Sequence, residues 1–196
     1  MIDSPEVQTL KKYLSDGSAA VIVGAGFSRN AERKEKNKPL PPLWDGFMEA
    51  FAKGILGVVE NSDENDKKIA KYVKGKSPVV LTQEFESLFG RKAMVDLVRK
   101  LVGDSNLIPG EVHQKLLRLP WADVYTTNYD TLLERAAVDI HEYDYQTITL
   151  PSQIVGSKNP RIVKLHGTWY GHEEDWVVTE EDYRSYQRCH RCCSSG

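Results

Sequence analysis

The sequence predicts an α/β protein, a Rossmann-like parallel sheet with helices on both faces and a helical insertion at about residues 44–102. Three observations predict it. Short apolar runs of extended character alternate with stretches of helical periodicity, the order that wraps helices around parallel strands. The first run, "AAVIV" at 19–23, breaks directly into Gly24-Ala25-Gly26, as a strand does when it turns tightly into a helix. A chain of 196 residues with 40% hydrophobic content can bury one sizeable core, with room for a small accessory lobe.

Taken in order, Ser4 with Pro5 behind it caps a helix through "EVQTLKKYLSD", and Gly17 ends it. After the strand and glycine turn, "RNAERKEKNKPLPP" sets Arg29, Arg33, Lys34, Lys36 and Lys38 against Glu32 and Glu35 and closes with three prolines in four residues. Such a segment is a mobile or extended loop, not a helix interior. From Trp44 to about Val102 the pattern turns helical. "LWDGFMEAFAKGIL", "DENDKKIAKYVKG", "TQEFESLFG" and "RKAMVDLVRKLVG" each place apolar residues at three- and four-residue spacing. Extended signals return in "ADVYTTN" (122–128), "YDYQTITL" (143–150), "RIVKLHG" (161–167) and "DWVVT" (175–179), with the helical "YDTLLERAA" after the first of them.

Composition removes several classes of function. Lys and Arg total 26 against 28 Asp and Glu, a net charge of −2, so no broad field gathers nucleic acid or an anionic membrane. No stretch approaches the roughly 20 apolar residues that span a bilayer. The N-terminus has neither the basic nor the apolar region of a secretion signal. A cytoplasmic protein is expected, with neither nucleic acid nor membrane as a direct partner. The three cysteines, Cys189, Cys192 and Cys193, all fall within "CHRCCSSG" at the end of the chain, so none staples the body of the fold. With His190 they offer two or three zinc ligands where a closed structural site takes four. Residues 1–188 are therefore expected to form the domain, and 189–196 a disordered, metal-free tail.

Ligands of parallel sheets bind beyond the carboxyl ends of the strands, where loops and helix N-termini converge. Three segments break from apolar to polar at that position: Gly24-Ala25-Gly26-Phe27-Ser28, Thr126-Thr127-Asn128-Tyr129-Asp130 and His166-Gly167-Thr168. They are expected to share one rim. Each has an ordinary structural use: a tight turn, an Asx cap for the helix that follows, a hydrogen-bonded histidine. Together they form a small-residue turn for phosphates and a set of groups able to do proton chemistry.

On these residues the sequence resembles the sirtuin-like (SIR2) family, in particular the bacterial branch found in antiphage defence proteins. "GAGFS" is similar to the family's Gly-Ala-Gly-hydrophobe-Ser turn, "TTNYD" to its Thr-x-Asn-hydrophobe-Asp segment, and "KLHG" to its catalytic His-Gly. The agreement in order and spacing runs from residue 19 to about 185. The resemblance implies a domain that binds NAD as substrate and breaks the bond between nicotinamide and ribose. It implies further that Gly24, Ala25, Gly26 and Ser28 line the phosphates, that Phe27 of the same turn belongs to the NAD-binding set, and that Thr127 contacts the ribose edge. By the same resemblance Asp130 accepts from the nicotinamide amide, Asn128 orients the ribose or the nucleophile, and His166 is the general base.

The chain also departs from the family's deacylases. They carry a Gly-Ile-Pro-Asp-Phe-Arg segment soon after the glycine turn, where this chain has the basic loop and "PLPPLWDGF". They carry a four-cysteine zinc module, of which only "CHRC" has a counterpart, and a Gly-Thr-Ser turn for the adenosine ribose that does not occur here. The adenosine side is therefore expected to be partly absent or to belong to a longer parent protein. The expected function is NAD hydrolysis to nicotinamide and ADP-ribose in antiphage defence, by a homo-oligomer or with a fused or associated defence partner. The alternatives are an NAD-dependent protein deacylase and a non-catalytic NAD or ADP-ribose binding module.

Overall fold

A computed structural model describes residues 4–192, with side chains through residue 186. In chain order the elements are α1 (Pro5–Ser15), β1 (Ala20–Val23), α2 (Ala25–Ser28), β2 (Glu32–Arg33), α3 (Trp44–Leu56), α4 (Asp63–Val73), α5 (Pro78–Val102), β3 (Leu107–Ile108), α6 (Glu111–Leu117), β4 (Asp123–Thr126), α7 (Leu132–Val138), β5 (Gln146–Ile148), β6 (Arg161–Lys164) and α8 (Glu180–Cys192). They group into two compact units, Met1–Leu40 with Gly103–Gly171, and Pro41–Val102 with His172–Gly196.

The first unit holds the sheet. Its four strands are parallel in the order β1-β4-β6-β5, the α/β architecture that the alternation of elements predicts. The β4–β6 register pairs Asp123 with Arg161, and the guanidinium grips that carboxylate through Nε at 2.6 Å and a terminal nitrogen at 2.9 Å. Val23, Val124 and Ile162 of the strands pack with Leu117 of α6 and with Leu133 and Ala136 of α7, while Leu14 of α1 lies against this core. Burial on this scale, at about 25 cal/mol per Å² of apolar surface, is what holds such short strands together.

The N-terminal helix starts as its sequence predicts: Ser4 accepts the Val7 amide at 3.4 Å, and Gly17 takes a φ of 61°. The basic loop is extended in part. Its Glu32–Arg33 strand pairs antiparallel with Leu107–Ile108, and Asn106 receives the amides of Lys34 and Glu35 at 2.9 Å each. No element is expected over 103–121 from the sequence, yet α6 forms there.

The second unit holds the expected helices. Ser62 caps α4 by accepting the Asn65 amide at 3.2 Å. The segment α5 is two helices joined at Gly90, whose φ of 84° and ψ of 163° break the ladder, at the boundary between "TQEFESLFG" and "RKAMVDLVRKLVG". A side chain is strained at that φ, and glycine is not. Phe51 of α3 meets Phe85 of α5 edge-on, with centroids 5.1 Å apart.

One expected strand is overturned. "DWVVT" at 175–179 pairs with no strand. Trp176, Val177 and Val178 are buried, so the apolar signal was real, but side chains take the backbone groups that a ladder would use. Arg91 donates to the Trp176 carbonyl, Thr82 Oγ1 donates to the Val178 carbonyl at 2.9 Å, and Asp182 accepts the amides of Val178 and Thr179 at 2.9 and 2.8 Å. The expected disordered tail falls partly on α8, which runs to Cys192, and partly outside the described residues. The side chains of the three cysteines are outside them altogether.

Candidate functional site

Because β1, β4 and β6 are consecutive and parallel, the segments that follow them come to one rim. Two backbone bonds carry the pairing past the strand ends: Thr127 N to Val23 O at 3.3 Å and Leu165 N to Thr126 O at 2.8 Å.

The glycine turn caps α2, a helix of only four residues. A single turn brings a few free N–H groups rather than the dipole of a long helix. The Phe27 amide closes the turn on the Gly24 carbonyl at 2.8 Å. Its ring turns inward and meets His113 edge-on, with centroids 4.9 Å apart, so Phe27 anchors the turn. Ala25 is half-buried, and Gly24 and Gly26 are exposed. A Cβ on Gly26 would meet nothing within 4 Å, and one on Gly24 would find only Thr127 Oγ1 at 3.6 Å. Neither glycine has a positive φ. Nothing among the described residues asks for glycine at either position, and the outer face of the turn is open to a group from outside.

Behind that face lies a hydrogen-bond network. Asn128 Nδ2 donates to the Gly24 carbonyl and to Ser28 Oγ, both at 2.9 Å. Ser28 Oγ donates to Asp130 Oδ2 at 2.6 Å. Asp130 Oδ1 accepts the Leu132 amide at 3.2 Å, so this carboxylate caps α7 with one oxygen and holds Ser28 with the other. Ser28 and Asp130 are 2% and 6% exposed, a depth at which polar groups must be paired. Thr127 is half-buried beside Gly24.

His166 is half-buried at the end of β6, its ring centroid 6.4 Å from that of Tyr129. Gly167 follows at a φ of 94°, a left-handed conformation that lets the chain turn sharply after the histidine. The Trp169 amide then bonds the Tyr129 carbonyl at 2.8 Å. Burial holds the His166 imidazole below its ordinary pKa, because a low dielectric disfavours the charged ring. The neutral, proton-accepting form therefore dominates near neutrality.

Four residues around the site were not read from the sequence. Asp104, 2% exposed, accepts the Thr131 amide at 2.7 Å and the Thr131 hydroxyl at 2.8 Å, and pairs with Arg135 at 3.1 Å. Lys164 is buried and pairs with Glu134 at 3.1 Å, whose carboxyl burial pushes up despite that lysine. His113 is fully buried; its Nδ1 accepts the Gly110 amide at 3.2 Å, and its Nε2 has no hydrogen-bond partner among the described residues. Burial pushes its pKa down, against the pull of Asp130. The available signals were a lysine inside an apolar strand and a histidine on the apolar face of "EVHQKLL".

The arrangement joins an open backbone turn, a buried amide–hydroxyl–carboxylate chain and a neutral imidazole, and so can hold an anion and accept a proton. Among the described residues no group of three or more His, Cys, Asp or Glu is placed to hold a metal. Nor is any helix long and apolar enough to cross a membrane.

Residues 122–191, which include Asn128, Asp130 and His166, match the family model for the SIR2-like domain. Over 190 residues the chain is 26% identical to the NAD(+) hydrolase ThsA of Bacillus cereus (strain MSX-D12), covering 92% of this chain and 34% of that protein. Over 194 residues it is 23% identical to Defense-associated sirtuin 2 of Bacillus subtilis, covering 96% of this chain and 17% of that protein. The chain thus spans well under half the length of either relative. The parallel sheet, the three motifs on one rim and the family match agree: over residues 122–191 this chain is similar to the SIR2-like domain.

Proposed function

We propose that this domain hydrolyses NAD at the nicotinamide–ribose bond, releasing nicotinamide and ADP-ribose, and that it acts in the bacterial cytoplasm as an NAD-depleting effector of antiphage defence, self-associated or with a fused or associated defence partner. The observation that carries the reading is the open glycine turn, hydrogen-bonded directly to Asn128 on the rim that also bears a neutral His166. The names of the two relatives, an NAD(+) hydrolase and a defence-associated sirtuin, support it.

In this reading the pyrophosphate lies against Gly24, Ala25 and Gly26, where the absence of a Cβ on the two glycines lets it approach the backbone. The bond from ribose C1′ to the nicotinamide nitrogen breaks, and its electron pair leaves with nicotinamide. An oxocarbenium-like cation remains, for which fixed dipoles are the natural stabiliser. With Nδ2 of Asn128 engaged by Gly24 and Ser28, Oδ1 is the atom that orients the ribose or the water. The water oxygen bonds C1′, and its proton passes to the His166 imidazole.

The test is to incubate the protein with NAD and follow nicotinamide and ADP-ribose, with and without an acyl-lysine peptide. Release is expected without peptide and at the same rate with it. Release only with peptide, accompanied by O-acyl-ADP-ribose, would make the domain a deacylase. NAD binding without turnover would make it a binding module.

The turn gives a second expected result. Gly24→Ala and Gly26→Ala should leave the unfolding midpoint unchanged or raise stability by up to about 1 kcal/mol, since alanine narrows the unfolded ensemble and meets no clash. Each should raise the KM for NAD by about tenfold or more, equivalent to roughly 1.4 kcal/mol of lost binding. Wild-type KM in both variants would place the phosphates elsewhere.

A further inference from the structure

Lys164 stands where a lysine is physically out of place. It ends the buried run Ile162-Val163-Lys164 of β6, and its side chain is 1% exposed. A buried ammonium is costly unless it is paired and hydrogen-bonded, and an apolar side chain of the same length would fill the space without that cost. Its partners explain its presence. Nζ donates to the backbone carbonyl of Asp130 and pairs with Glu134 Oε1 at 3.1 Å. Both belong to the other side of the site, one in the loop after β4 and one in the first turn of α7.

The Asp130 carbonyl belongs to the same peptide unit as the Thr131 amide, and that amide is held by Asp104 Oδ1 at 2.7 Å. One planar unit is thus clamped at its oxygen by a buried cation and at its nitrogen by a buried anion. Two residues before the clamp is Asn128. Two residues after Lys164 is His166. Among the described residues Glu134 Oε2 has no hydrogen-bond partner, and a half-satisfied buried network is one that folding alone would not favour.

We infer that Lys164, with Glu134 as its counter-ion, is a positioning residue that holds the Asn128–Asp130 segment in fixed register with His166. This rests on the reading that Asn128 and His166 act on one NAD molecule. The ammonium acts through the peptide it holds and touches no substrate.

Lys164→Met and the double variant Lys164→Met/Glu134→Met test it by two measurements, steady-state NAD cleavage and backbone hydrogen exchange over residues 126–131. Cleavage should lose about tenfold or more in kcat with KM within about threefold, since a small misplacement of reacting groups costs rate and not binding. Exchange over 126–131 should quicken by about tenfold or more while that of β1 stays at the wild-type rate, as local opening requires. Should Lys164→Met leave Glu134 too poorly accommodated to fold, the double variant, with no buried charge left unpaired, carries the test. A folded variant with wild-type kcat, or with wild-type exchange over 126–131, overturns the inference. If the wild-type protein releases no nicotinamide, the NAD-cleavage reading fails by itself, and the exchange measurement still decides whether Lys164 locks the segment.

Discussion

His166→Ala is expected to lower nicotinamide release from NAD by at least about 10²-fold, the usual consequence of losing a positioned general base. NAD binding should change far less, because the open turn at Gly24 to Gly26 is left intact. The pH profile gives an independent check with a definite sign. Burial lowers the pKa of this imidazole, so the base form persists to more acid pH than in a free histidine. Activity should fall as pH drops through that lowered value, placing the acid limb of kcat/KM below about 6.5, the ordinary histidine value. That limb should vanish from the residual activity of His166→Ala. Asn128→Ala should lose a comparable factor but with a different signature: its amide also ties Gly24 to Ser28, so KM should rise together with the fall in kcat. Wild-type turnover in His166→Ala would remove the histidine from the mechanism.

Asp104→Ala is expected to cost about 3 kcal/mol or more of stability, the range seen when a buried charged acceptor is removed from several donors. The variant strands the Thr131 amide and the Thr131 hydroxyl in a site where Asp104 is 2% exposed, and takes the carboxylate away from Arg135. Arg135 keeps bonds to the carbonyls of Thr131, Leu107 and Asp104 at 3.3, 2.6 and 3.3 Å and is about a third exposed, so most of the loss should come from Thr131. Asp104→Asn, which keeps one acceptor for the amide, should cost less. Denaturant unfolding of the three proteins measures the order; equal stability of Asp104→Ala and wild type would mean that the Thr131 donors find other partners or water.

Much of the fold was legible because its signals are local. A cap at Ser4, the division between "TQEFESLFG" and "RKAMVDLVRKLVG" and apolar spacing over 44–102 each act within a few residues, and each appears in the structure where the sequence places it. "DWVVT" was misread because an apolar run reports burial, and burial does not say which partner satisfies the backbone. Only Arg91, Thr82 and Asp182, distant in sequence or beyond the run, decided that it would be covered without joining a ladder.

The candidate site divides in the same way. Residue types and strand-end positions alone determined that Gly24, Ser28, Asn128, Asp130 and His166 belong to one rim, since parallel strands bring their carboxyl ends together whatever lies between them. Tertiary structure decided what each polar atom does there. Ser28 is 102 positions from Asp130 and Asn128 is 104 from Gly24, yet they form one chain of hydrogen bonds and leave the outer face of the glycine turn open. Asp104 and Glu134 lie outside the motifs and read on their own as ordinary charged residues, while Lys164 stands inside "KLHG", which does not say what the lysine pairs with. Their grip on the Asp130–Thr131 peptide follows from burial, which removes water as the alternative partner and leaves each charge to the few atoms that packing brings within reach.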